Sequence, residues 1–143
     1  MKKHFSMVAA AIVLLLSAGS AYAQSRPGTF KVPFSFVAGE TVLAAGEYHV
    51  TEDGVPGMLQ LWGSDRHTVL VFAGHIQTLH ASTQTKIVFH RYDNRYFLTQ
   101  LWVEGQNRGR EVPIGRPERE LARKSDPKSM AVIASTGSDK GEK

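Results

Sequence analysis

Apolar and polar residues alternate along this chain in short runs, and turn-forming residues separate the runs. The first run places four apolar side chains on one face of a strand: Phe30, Val32, Phe34 and Phe36. A period of two over such a length is typical of a half-buried β-strand. Pro33 has no N–H to donate to a ladder, so we expect this strand to lie at a sheet edge or to break at the proline.

Three further strands are predicted in the first half of the chain, over residues 47–51, 58–62 and 67–73. Turn residues follow the first two of them, at Asp53-Gly54 and Gly63-Ser64-Asp65. The last strand, H-T-V-L-V-F-A, is apolar on both faces at its centre, which predicts a central, buried position in its sheet.

Residues 86–92 and 95–103 flank Asp93-Asn94 and predict a β-hairpin. With a two-residue turn, Tyr92 pairs with Arg95, and Ile87 with Gln100. This register places one set of side chains towards the core: Ile87, Phe89, Tyr96, Leu98 and Trp102. The opposite face is mixed in character and offers a possible binding face: Lys86, His90, Tyr92, Arg95 and Phe97.

The whole pattern predicts an all-β fold, an antiparallel sandwich or partly open barrel of about six to eight strands with a short C-terminal helix. Residues 24–115 form the β-domain and residues 116–124 the helix, in which Pro117 suits the first position and Glu118 the positive end. Residues 125–143 mix charged and small residues, and we expect a disordered tail.

Residues 1–23 have the order of a secretory signal peptide: two lysines, an apolar stretch, then small residues ending in A-Y-A. We expect cleavage between Ala23 and Gln24 and export to the periplasm or the extracellular medium. The apolar stretch is about ten to twelve residues, whereas a membrane-spanning helix needs roughly twenty, so no stable membrane anchor is expected.

The chain contains no cysteine, which excludes disulfides, thiol nucleophiles, thiolate metal sites and a lipid anchor on cysteine. Its formal net charge is +4, but residues 24–115 hold eight basic and eight acidic side chains. A neutral domain has no basic surface to follow a phosphate backbone, so we expect no nucleic acid partner.

Histidine is the remaining candidate for metal chemistry. His75, His80 and His90 are weak candidates, because their spacing matches no known ligand pattern and a site needs three or four convergent ligands. We therefore expect no metal and no cofactor. The chain also lacks a nucleophile-elbow motif and a glycine-rich phosphate loop, so no enzymatic activity is expected from local motifs.

Four motifs occur together in the sequence: V-P-F-S-F-V-A-G-E, L-A-A-G-E-Y, V-F-H-R-Y-D-N-R-Y-F-L and R-E-L-A-R. The chain resembles an uncharacterised group of small exported bacterial β-rich proteins that share these motifs. The resemblance covers residues 30–123 and implies a single secreted domain. It assigns no activity and no functional residue.

These observations favour a soluble, exported, non-enzymatic domain that acts by binding or assembly, with an unknown protein or small ligand as its partner. Edge strands, above all the one containing Pro33, are candidates for pairing in a homo-oligomer. One alternative is a barrel that holds a small ligand or carbohydrate against exposed aromatic side chains. A third is an enzyme whose site is assembled from residues distant in sequence.

Overall fold

The computed structural model describes residues 28–52 and 54–135, which form eleven strands and one short helix. The strands are β1 (Gly28–Val32), β2 (Phe36–Ala38), β3 (Thr41–Leu43), β4 (Gly46–Thr51), β5 (Met58–Gly63), β6 (Thr68–Phe72), β7 (Gly74–Gln77), β8 (Lys86–Tyr92), β9 (Arg95–Trp102), β10 (Arg108–Glu111) and β11 (Lys128–Ile133). The helix α1 (Arg116–Ala122) lies between β10 and β11. The predicted signal peptide and its cleavage site, Ala23 and Gln24, lie outside the described residues. Within those residues, no helix has the length and apolar character to span a membrane.

The strands form two sheets that pack as a sandwich. The first has four strands in the order β1-β4-β5-β6, and the second has the path β11-β8-β9-β10-β7 with β2 and β3 attached through β9. The sheets are not closed into a barrel. The predicted all-β class is confirmed. The strand count is higher than the expected six to eight because β2, β3 and β7 have only three or four residues, too few to show an alternating pattern.

Pro33 has the predicted effect on the first strand. β1 ends at Val32 and lies at the edge of the four-stranded sheet, and the chain then crosses to the other sheet as β2. Phe30, Val32 and Phe36 remain on the core side of this crossing. The core between the sheets also contains the following buried residues: Tyr48, Val50, Leu59, Leu61, Val71, Ile87, Phe89, Leu98 and Leu101.

The hairpin of β8 and β9 has the predicted turn, but its register changes part-way along. Tyr92 pairs with Arg95 and His90 with Phe97, as expected, whereas Ile87 pairs with Leu101 instead of Gln100. A β-bulge lies between the Val88–Gln100 and Phe89–Leu98 pairs, and Thr99 of β9 is the extra residue. Leu101 therefore joins the core, and Trp102, predicted to face it, pairs with Lys86 and falls outside the core cluster.

The expectation of a disordered tail from residue 125 is wrong for residues 128–135. β11 pairs with β8 along six residues, and its end bridges back to β1, where the Ser135 N–H donates to the Thr29 carbonyl at 2.7 Å. Val132 and Ala134 pack against the core. The sequence did not predict this strand because the tail is mostly polar and has too few apolar residues to show a clear alternation. The expectation for residues 136–143 falls outside the described residues.

Candidate functional site

The predicted binding face on the hairpin is partly covered, because two of its five residues are buried. Tyr92 and Phe97 are buried with Val37 of β2, and Leu121 of α1 packs against them. Of the other predicted residues, Lys86 and His90 are half-buried and Arg95 is exposed, with its guanidinium 5.3 Å from the ring centroid of Phe97. Tyr92 and Phe97, which the alternating pattern assigned to an open surface, therefore belong to a second small core.

A buried carboxylate fastens α1 to this face. Glu118 has a side chain only 4% exposed, and its Oε1 lies 2.7 Å from Nδ1 of His90. The Tyr92 hydroxyl donates to the same oxygen at 3.1 Å. Burial, together with the charge and hydrogen bond of Glu118, raises the pKa of Tyr92 to about 12. The phenol therefore stays protonated and keeps donating throughout the neutral range.

The sequence predicts Pro117 at the first position of this helix and Glu118 at its positive end, without predicting that Glu118 is buried. The observed helix does begin with Pro117 in its first turn, but Glu118 is its buried residue and Ala122 is exposed. A glutamate in a first turn normally faces solvent, so no local signal separates it from Glu120. Burial of Glu118 is favourable because His90 and Tyr92 of β8 form hydrogen bonds with its carboxylate.

The Glu118–His90–Tyr92 cluster has a carboxylate, an imidazole and a phenol in contact, the groups used in acid–base chemistry. The cavity beside Glu118 is about 10 Å³, which is space for one water molecule. A substrate group needs far more room than this. The arrangement acts chemically as a hydrogen-bonded clamp that holds a seven-residue helix on the hairpin.

The three candidate metal ligands are held in different places. His75 lies on β7 and contacts Arg110, His90 lies on β8 and contacts Glu118, and His80 is an exposed residue after β7. Two strands, β9 and β10, separate β8 from β7, which corresponds to about 14 Å between those strands. Among the described residues, no group of three or more potential ligands converges.

A second charged cluster links the two sheets near β7. Arg110 is buried on β10, with Nε 3.0 Å from Oε2 of Glu52, the residue after β4. Its Nη1 lies 2.8 Å from Nε2 of His75. The Nε–H is not directed at the carboxylate, so the Glu52 contact is an ion pair without a hydrogen bond. This contact ties the sheets together on the side where the chain passes from β6 to β7.

An exposed apolar surface of the domain lies on β6. The prediction of a central, buried strand is wrong in position: β6 is the edge of the four-stranded sheet, and within the described residues it pairs with β5 alone. Val71 points into the core, whereas Leu70 and Phe72 are 48% and 61% exposed on the outer face. β6 is apolar on both faces because its inner face is buried in the core, whereas the apolar side chains of its outer face are exposed within the described part of the chain.

The outer face of the same sheet becomes more polar away from this edge. Trp62 of β5 pairs with Thr68 of β6 and stacks on His49 of β4, with 5.4 Å between the ring centroids. The Thr29 hydroxyl lies 2.8 Å from Nδ1 of His49 and holds the imidazole in place. We define the β6 surface as the backbone edge of β6 with the exposed side chains of Leu70 and Phe72.

Searches of protein families, curated proteins and solved structures find no match to this chain.

Proposed function

We propose that this protein is an exported, non-enzymatic domain that binds or assembles with other polypeptides, and that the β6 surface is its interface. The partner segment is an extended, uncharged strand with alternating apolar side chains, which adds to the four-stranded sheet beside β6. The observation that carries this proposal is the pair of exposed apolar side chains on β6, whose outer edge pairs with no strand of the described residues. Export rests on the signal-peptide pattern of residues 1–23.

The backbone of β6 supports strand addition at defined positions. Beyond the end of β6, the Ala73 N–H donates to the Gly57 carbonyl at 2.9 Å, so residue 73 directs its polar groups towards β5. Backbone groups alternate in direction along an antiparallel strand. Val69 and Val71 therefore share the direction of Ala73, whereas Thr68, Leu70 and Phe72 direct their N–H and C=O groups to the open edge.

The side chains on this edge favour an apolar partner. Natural edge strands are usually protected by lysine, proline, a bulge or a very short length. β6 has five residues, none of them charged and none of them proline, in continuous register with β5. Complete covering of Phe72 would remove on the order of 100 Å² of apolar surface, so its contribution to binding is at most about 2–3 kcal/mol.

A peptide-binding experiment tests the proposal. The probe is a dye-labelled peptide of alternating threonine and valine with a lysine at each end, titrated against the purified protein and followed by fluorescence anisotropy. We expect saturable binding that weakens at least tenfold in Leu70→Lys and in Leu70→Pro. The proline removes only an N–H that faces the open edge, so the β5 ladder is retained.

Val42→Lys is the matched control, because Val42 is an exposed apolar residue in a strand of the other sheet, 72% exposed. Its affinity for the peptide should equal that of the wild type. The proposal is refuted if the wild type does not bind the peptide, or if Leu70→Pro binds it as tightly as the wild type while retaining its circular dichroism spectrum.

A further inference from the structure

The β6 edge is complementary to itself. We propose that the strand added beside β6 is β6 of a second copy of this chain, in antiparallel orientation around a two-fold axis at Leu70. This inference rests on the proposed function, since it names the partner for the same surface. The product is a dimer in which two four-stranded sheets become one continuous sheet of eight strands.

The direction of the backbone groups restricts the register, and centring it on Leu70 pairs the largest number of β6 residues. Centring the axis on Leu70 places Leu70 opposite Leu70 of the second copy, and Thr68 opposite Phe72 of the second copy. All three residues direct their N–H and C=O groups to the open edge, so each opposed pair is of the hydrogen-bonded type. A shift of the register by one residue places these groups opposite residues whose own groups are already used by β5, and the edge is then left unsatisfied.

The side chains fit the same register on both faces. On the outer face, Leu70 and Phe72 of the two copies lie side by side, and each strand buries part of the apolar side-chain surface that a single copy exposes. On the inner face, half-buried Val69 lies opposite Val71 of the second copy and extends the core across the junction. Pairing of identical strands fails where like charges oppose each other, and residues 68–72 carry no charge.

Two other edges of the described part, β1 and β7, are less suited to self-pairing. β1 carries exposed Lys31, and its end is already bridged to Ser135 beyond β11. β7 has only four residues. β6 is therefore a better candidate for the assembly edge than the Pro33 strand, which the sequence favoured.

The area of the contact sets the expected strength of the dimer. Two five-residue strands with their flanking side chains bury less than the roughly 1,200 Å² of a standard interface, so the dimer should exchange with monomer rather than be permanent. Sedimentation equilibrium of the purified protein should show the average mass rising towards twice the monomer mass as concentration reaches about 100 µM. Leu70→Lys should remain monomeric over the same range, and Val42→Lys should behave as the wild type.

Single cysteines test the register, because the chain has no cysteine of its own. Cα atoms of a hydrogen-bonded antiparallel pair lie about 5.5 Å apart, within disulfide range, so Leu70→Cys should form a disulfide-linked dimer under mild oxidation. Thr68→Cys and Phe72→Cys serve as matched controls on the same strand. In each, the two sulfurs are displaced by four residues, about 13 Å along the strand, and cannot bond, but a mixture of the two variants should cross-link.

Equal cross-linking of all three single variants would overturn the register. A protein that stays monomeric at high concentration while its β6 surface still binds the threonine-valine peptide would overturn the dimer and leave the proposed function standing. Loss of both dimer and peptide binding would overturn both. Circular dichroism of each variant confirms its fold, and the wild-type sedimentation result stands without any variant.

Discussion

Replacing Glu118 with alanine should uncouple α1 from the hairpin and lower the free energy of unfolding by about 2–4 kcal/mol. The substitution removes the acceptor shared by His90 and Tyr92. His90 keeps a side chain 25% exposed and can be rehydrated, so its loss costs about 1 kcal/mol. Tyr92 is 3% exposed, and its hydroxyl, left without a partner, costs a further 1–3 kcal/mol or so.

The assay is urea unfolding followed by the fluorescence of the two tryptophans, Trp62 and Trp102. With a slope of about 2 kcal/mol per molar urea, the expected loss moves the midpoint down by about 1–2 M. Glu120→Ala is the matched control, because this glutamate is exposed on the same helix and should change stability by less than about 0.5 kcal/mol. Glu118→Gln, which keeps an acceptor oxygen of similar position, should fall between the alanine variant and the wild type.

A double-mutant cycle tests the hydrogen bond itself. In a Tyr92→Phe background there is no hydroxyl to leave unpaired, so Glu118→Ala should cost about 1–2 kcal/mol less than in the wild type. The reasoning is refuted if the two substitutions are additive, or if Glu118→Ala unfolds at the same urea concentration as the Glu120→Ala control. Either result means that the buried carboxylate does not hold the helix.

Two further predictions concern stability. Because the Tyr92 pKa is raised from 10.0 to about 12, the folded state keeps a proton that the unfolded state loses above pH 10. Stability present below pH 10 should therefore fall by roughly 3 kcal/mol as the pH rises from 10 to 12. Urea unfolding of Tyr92→Phe over that range should show a shallower decline, and equal declines contradict the assignment. Gly109→Ala should destabilise the fold by about 2–3 kcal/mol, because the new Cβ meets Trp102 Cε3 at 2.7 Å and the Leu101 carbonyl oxygen at 2.8 Å. Gly74→Ala, whose nearest contact is 4.0 Å away, is its control in thermal unfolding, and equal melting temperatures for the two variants count against the close approach of β10 to Trp102.

The sequence by itself determined where most long strands lie. Residues 47–51, 58–62, 86–92 and 95–103 were predicted within about two residues of β4, β5, β8 and β9, because the period-two pattern reflects the local geometry of a strand. Pro33 ended β1 and Pro117 began α1 for equally local reasons, since a ring-locked residue without an N–H constrains its own neighbours. The all-β class followed from the same signals.

The tertiary structure alone decided which faces are covered. The apolar strand of residues 67–73 has the composition of a central strand, but sheet order places β6 at an edge with Leu70 and Phe72 exposed. Glu118 has the sequence context of a solvent-facing residue, yet His90 and Tyr92 make its burial possible from 28 and 26 residues away. A side chain's burial depends on which distant segments pack against it, and alternation along one strand contains no information about those segments. The β6 surface could therefore be located only once the partners of every neighbouring strand were known.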